Sequence, residues 1–368
     1  MNLKKLFAAT LSTAMAASLI ACGGSSQPAA TTAAATTAAA AQTQAAAAPA
    51  ATQAAAPAAS GEKYHFIFAH GMSTETCFGP LGDAIEQGLE ASGLFDVDVY
   101  AAGALGSESE CIQSVQTGDI QAYCTAAASY SGYSNAFYVF DRMFAFTDAD
   151  YAREVINDPD FLAAFNAEIE KVNFHVVRLN DLGFRQLFAN KPVHSVADLQ
   201  GMDFRTMENK VHMKGWADAG VNPTPISFSE LYTSLQQGVV QGHENVLSSA
   251  YSSKIYEVQP YMLKTNHIFN VNALVINNEW YQALSPEAKE VFDKVMVDAR
   301  EAMLSAEAAL QEKYIETFEA SGMEISECPD EMHEELVKRM AASYDICKEL
   351  AGAELYDIFT ATMEKYNK

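Results

Sequence analysis

The run GFRQLFANKPVHSVADLQGMDFRTMENKVHMKGWADAGVNPTPISFSELYTSLQQGVVQGHENVLSSAYSSKIYEVQPYMLKTNH, Gly183 to His267, decides how the rest of the chain is read. Two arginines in it fall in segments that alternate as strands do. Phe184, Gln186 and Phe188 share one face with Arg185 and Leu187 on the other, and Met202 and Phe204 oppose Asp203 and Arg205. A guanidinium on a short apolar strand is partly desolvated and needs an anionic partner, and its planar fork fits a carboxylate with two parallel hydrogen bonds. That partner is either an aspartate of the chain, Asp198 or Asp203 being nearest in sequence, or a solute that carries a carboxylate.

Two helix starts follow the arginines. Ser195 to Asp198 has the capping-box pattern before a short helix ending near Gly201, and Ser227 to Glu230 repeats it, with Leu231 and Leu235 on one face and Gly238 as the stop. The second cap fixes Phe228 in the first turn, where free N–H groups and partial positive charge favour a bound anion. Val239 to Gly242 reads as a strand crossing between two halves of the molecule, delivering His243, Glu244 and Asn245. The Asn245 amide can accept from an arginine and donate to a carboxylate at once. His243-Glu244 does not open a zinc-protease motif, because the second histidine would stand where Leu247 is.

Arg185 to Val193 (RQLFANKPV), Asp198 to Arg205 (DLQGMDFR), Pro223 to Gly242 (PTPISFSELYTSLQQGVVQG), Glu244 with Asn245, and Tyr256 to Tyr261 (YEVQPY) keep one order and spacing. Together they resemble the core of the solute-binding proteins of tripartite ATP-independent periplasmic (TRAP) transporters, the DctP family. The resemblance implies a two-lobed, periplasmic-binding-protein-like α/β fold with a long helix spanning both lobes. It also implies capture of a small organic acid and its delivery to a sodium-coupled permease of one small and one large membrane subunit. Arg205 matches the position that pairs with the ligand carboxylate, and Arg185 a second such position. Phe228 matches the place where relatives stack an aromatic on the ligand, core packing being the alternative. Glu108 closes Ala104 to Glu108, which resembles the loop after the second strand. Relatives that bind acidic sugars carry charged contacts around 126–133; Ala126 and Ser129 stand here, which argues against a sialic-acid-like ligand. Met207 replaces a usual proline, and His243-Glu244-Asn245-Val246 replaces a usual Gln-Glu-Asn-Pro. These departures leave the anion open among a C4-dicarboxylate, a 2-oxo acid and an aromatic acid.

Composition sets outer bounds. The chain has 368 residues, 49% hydrophobic and 19% charged, enough for two domains. A net charge of −24 excludes nucleic acid as a partner. It does not exclude an anionic ligand, because surface charge is screened over about 8 to 10 Å whereas a buried arginine acts at contact. Lys4 and Lys5 precede an apolar run, Leu6 to Ile20, of secretory-signal length. Leu19-Ile20-Ala21-Cys22-Gly23 resembles a bacterial lipobox, which implies removal of the signal within 1–22, lipidation of Cys22 and an extracytoplasmic, lipid-anchored protein. Residues 23–61, nearly all Ala, Thr, Gln, Ser and Pro, read as a disordered tether. Five further cysteines, an odd number without CxxC spacing, signal neither a zinc site nor a disulfide framework. They read as small buried hydrophobes with room for one bridge.

From Glu62 the chain opens β-α-β, with strands at Tyr64 to Ala69 and Phe95 to Tyr100. Ligands in open α/β sheets sit at the carboxyl ends of strands, so His70 is a candidate pocket residue, a surface loop histidine being the alternative. Lobe I is expected to take 62–182 and 271–310, lobe II 183–270 and 311–368. Ser285-Pro286 opens a helical pattern running to Gly322, about 50 Å long. The expectation is a monomeric binding protein, without metal or cofactor and not an enzyme. The alternatives are a receptor for an ABC importer or sensor kinase, and an extracytoplasmic hydrolase or lyase. The last lacks any Ser-His-Asp order, nucleophile elbow or metal-ligand spacing.

Overall fold

The structure is a computed structural model that describes residues 62–367; Cys22, the signal-like run and the 23–61 tether lie outside the described residues. The first sheet is built from β1 (Tyr64–His70), β2 (Phe95–Tyr100), β3 (Ala122–Ala126), β4 (Phe174–His175), β5 (Leu179–Phe184) and β11 (Phe269–Asn277). β1 pairs in parallel with β2 and β3 through the crossover helices α1 (Phe78–Ala91) and α2 (Glu108–Thr117). β11 runs antiparallel to β3, β4 and β5, and all nine of its residues are buried, as a central strand covered on both faces must be. The second sheet has the order β12 (Glu324–Glu327), β10 (Tyr261–Lys264), β6 (Gln186–Ala189), β9 (Gly242–Asn245), β7 (Asp203–Thr206), β8 (Asn222–Pro225).

The chain changes sheets at Arg185. β5 belongs to the first sheet and β6 to the second, so the alternation read through Phe184–Phe188 is interrupted there, and Gln186 to Ala189 are all buried. A second crossing lies alongside: the Arg185 amide donates to the carbonyl of Ile268, between β10 and β11. β9 passes so tightly beside β6 that a Cβ at Gly242 would stand 2.8 Å from the Phe188 carbonyl oxygen.

Helices α3 (Ala149–Ile156), α4 (Pro159–Ile169) and α8 (Asn278–Gln282) lie with the first sheet; α5 (Lys210–Ala219), α6 (Phe228–Gln236) and α7 (Leu247–Ser252) lie with the second. α9 (Pro286–Ala320) runs 35 residues, its Ser285 hydroxyl accepting from the Ala288 amide and proline in its first turn. Ala288, Phe292, Ala299 and Met303 join the core around α1 and β1, whereas Tyr314 and Phe318 join the core under β6 and β10. One helix therefore packs on both halves, as expected. The C-terminal segment differs from expectation. α10 (Asp330–Met340) buries Met332, Leu336 and Met340 beside α5, but α11 (Ser343–Ala351) and α12 (Ala353–Tyr366) bury Cys347, Leu355 and Phe359 in the aromatic core of the first sheet, with Phe140, Phe161 and Phe165. An amphipathic pattern shows that a face is buried, not what buries it. Cys77, Cys111, Cys124, Cys328 and Cys347 are all free thiols, and all but Cys328 are buried.

Candidate functional site

A small cavity lies where the ends of β3, β7, β9 and β11 meet the N-terminus of α6. Met72, Phe78, Leu182, Met207 and Phe228 give it apolar walls; Glu108, Thr125, Arg185, Arg205, Asn245, Asn270 and Asn272 give it polar ones. Two outer recesses share Glu108 and Phe228 with it.

Arg205, on β7, is 3% exposed. Its Nε donates to the Ile226 carbonyl at 2.8 Å, which fixes the plane of the guanidinium. Among the described residues, neither Nη has a hydrogen-bond partner and no carboxylate stands within 4 Å. Burial pulls its pKa down to about 10; Glu244 opposes the drop and the Arg185 charge adds to it. The side chain is therefore cationic at neutral pH, desolvated and unpaired, a combination that is costly until an anion completes it.

Arg185 is equally buried but already committed. Its Nε and Nη2 meet the two carboxylate oxygens of Glu244, the latter at 2.8 Å; Nη2 also donates to the Glu244 carbonyl at 2.9 Å and Nη1 to Asn270 Oδ1 at 2.6 Å. Four of its five N–H donors are used within the chain. Asn270 occupies the break in register between Phe269 and Val271, which lets its amide face the arginine. The expected aspartate partners are occupied elsewhere: Asp198 accepts from Ser195 and His194 in its own capping box, and Asp203 is exposed.

Glu244 is the centre of a buried charge network. Burial pushes its pKa up, but the Arg185 charge, the nearby His212 and a hydrogen bond from His267 hold it well below the carboxylate range. His267 Nε2 lies 3.0 Å from its Oε2, and His212 Nδ1 3.7 Å from Oε1, an ion-pair rather than hydrogen-bond distance. His212 Nε2 meets Asp141 at 3.2 Å, and Asn209 donates to the same carboxylate at 2.6 Å. Burial would discharge His212, but Asp141 and Glu244 on its two sides raise it to about 9. Arg185, Glu244, His212 and Asp141 thus alternate in sign behind the cavity.

Asn245, at the end of β9, uses its Oδ1 to accept from the Val246 amide at 3.0 Å. Its Nδ2 has no partner among the described residues, so it offers donation, not the double role expected. Phe228, first residue of α6, is half-buried and packs on the cores of both halves as well as lining the cavity. The box ahead of it is incomplete: Ser227 Oγ donates to Glu230 at 3.1 Å and accepts no backbone N–H. Glu108 is the first residue of α2, after a complete Ser107–Glu110 box, and accepts from Thr125 Oγ1.

His70 is the residue that departs from expectation. It is 1% exposed, lies between Phe68 and Phe78, has no hydrogen-bond partner on either ring nitrogen among the described residues, and does not line the cavity; burial lowers its pKa to about 4. The strand end does reach the cavity, through Met72. Asn270 and Asn272 were not singled out from sequence, although two asparagines at i and i+2 in the run FNVNALVIN mark one polar face of an otherwise buried strand.

Two sheets, a helix shared between them and a walled cavity at strand ends define a periplasmic-binding-protein-like receptor. Residues 81–350 match the model of bacterial extracellular solute-binding protein family 7, DctP, and the chain belongs to that family, one of receptors rather than enzymes. It is 27% identical over 296 residues to the C4-dicarboxylate-binding protein DctB of Bacillus subtilis, covering 79% of this chain and 84% of that one. A TRAP periplasmic solute-binding protein from a Polaromonas species, solved with D-erythronate, shares 27% identity with a TM-score of 0.74 over 82% of this chain and 98% of its own. The sugar acid binding protein DctPAm of Advenella mimigardefordensis, solved with galactonate, matches in fold, with a TM-score of 0.78 at 23% identity over 83% and 99% of the two chains.

Proposed function

We propose that this chain is the receptor of a TRAP transporter, that it captures a small organic acid through Arg205, and that it delivers the acid to a sodium-coupled permease of small and large membrane subunits. The observation that carries the reading is the unpaired Nη pair of Arg205, buried in a cavity wall. A ligand carboxylate there replaces lost water with a charge-assisted fork. Asn245 and Phe228 line the same cavity, which supports donation by the Asn245 amide to that ligand and cover by the Phe228 ring. The names of relatives, a C4-dicarboxylate receptor and receptors solved with erythronate and galactonate, support a carboxylate as the common element.

Two lobes, each centred on one sheet, would close over the acid by bending at the crossings near Arg185 and Ile268, with α9 common to both. Arg185 and Glu244 belong to that hinge, and the acid is assigned to Arg205. A lipid on Cys22, with 23–61 as tether, would hold the receptor to the cell envelope on its extracytoplasmic side. A thermal-shift screen of organic acids against their amides tests the reading. Acids should raise the melting temperature in proportion to the logarithm of concentration and amides should not. A response to amides equal to that for acids would refute the arginine clamp.

A further inference from the structure

The charges around the cavity are not balanced for a diacid. Among the described residues that line the cavity and its two recesses, the cations are Arg185 and Arg205, and Glu244 has already neutralised Arg185. Glu108 lines all three spaces. It accepts from Thr125 through Oε1, and its Oε2 has no hydrogen-bond partner among the described residues. Its charge is close enough to support the cationic form of Arg205, yet no carboxylate lies within 4 Å of that guanidinium. Both side chains line the cavity and one of its recesses, so the space between them is open to a ligand. Glu208 and Glu230 add negative charge to the outer recess, although both are exposed and more strongly screened.

An α,ω-dicarboxylate that placed one end on Arg205 would bring its other end towards Glu108, with no second free cation to receive it. A like-charge encounter in a partly desolvated site is repulsive, whereas a carboxylate with a free acceptor oxygen welcomes a donor. Resting on the reading of Arg205 as the carboxylate site, we infer that the ligand is a monocarboxylate whose far end carries a hydrogen-bond donor, a hydroxyl or an ammonium, and that Glu108 selects against a second carboxylate. Thr125 is the positioning residue, since its hydroxyl holds one oxygen of Glu108 and leaves the other for the ligand.

Calorimetry with matched acids of four to six carbons tests this, comparing the ω-hydroxy acid, the ω-amino acid and the dicarboxylate at each length. Wild-type protein should bind the best donor-ended acid at least about tenfold more tightly than the dicarboxylate of the same length. Glu108→Gln keeps an acceptor for Thr125 but removes the charge, and should shrink that ratio by improving dicarboxylate binding. The two donor arms separate hydroxyl from ammonium: only the ammonium should also lose affinity strongly in Glu108→Gln. Tighter binding of dicarboxylates by the wild type, or a ratio untouched by Glu108→Gln, would overturn the inference while leaving the Arg205 site standing. Binding of none of these acids at any length would overturn both.

Discussion

Arg185 and Arg205 stand in one cavity wall, each 3% exposed, yet they are opposite kinds of site. Arg185 sits where the chain passes between sheets and is enclosed by Glu244 and Asn270. Arg205 sits within β7, with Ile226 holding its Nε and its outer nitrogens left open. Burial alone does not distinguish a structural charge from a binding one; the missing partner does. A protein tolerates an unpaired buried cation only at a cost to stability, and a ligand removes that cost on binding.

The comparison breaks most visibly in stability. Arg185→Met should destabilise the ligand-free protein by about 3 to 5 kcal/mol, because Glu244 is left buried without its counter-charge. Adding Glu244→Gln should recover part of the loss. Arg205→Met should be neutral or stabilising in the same denaturant titration, since it removes a buried charge that no carboxylate among the described residues pairs with at contact. Equal losses for the two arginines would erase the distinction.

The network behind Arg185 should also show itself in pH. His212 has a folded pKa of about 9 against the ordinary 6.5, so its stabilisation is complete below about pH 6.5 and fades as pH rises through 9. The amount at stake is on the order of 3 kcal/mol. Melting temperatures from pH 6.5 to 10 should fall for the wild type and fall less for His212→Asn. A parallel decline in both would remove His212 from the network.

His70 gives the smallest effect and sharpens the boundary of the site. As a neutral buried imidazole without partners, it should be replaceable by leucine with a stability change under about 1 kcal/mol at pH 7 and no change in ligand affinity. Its folded pKa of about 4 lies below 6.5, so its share of stability is present above pH 6.5 and is lost as pH falls through 4. His70→Leu should therefore be less acid-sensitive between pH 6.5 and 4. A loss of ligand binding in this variant would return His70 to the cavity.

Local features of the fold were legible in the chain. The β1-α1-β2 opening, the Ser285 cap and the long α9 follow from residues within a few positions of one another. So does Arg205 as a strand-borne cation; Asp203, two residues away on the same face of β7, is exposed rather than paired with it. Arg185 was not legible, since its partner Glu244 lies 59 residues away on a different strand. The break at Arg185 is equally non-local: a period-two pattern reports faces of a strand, and does not report that the strand leaves one sheet for another. The packing of α11 and α12 on the first sheet's aromatic core is hidden for the same reason.

The central claim is that Arg205 waits in the cavity for a carboxylate, and it is tested most directly by titrating the best acid of the panel into wild-type, Arg205→Lys and Arg205→Ala proteins in a calorimeter. The lysine keeps the charge but loses the fork, and both variants should bind at least about a hundredfold more weakly while retaining the wild-type circular dichroism spectrum. Wild-type affinity in either variant would contradict the account.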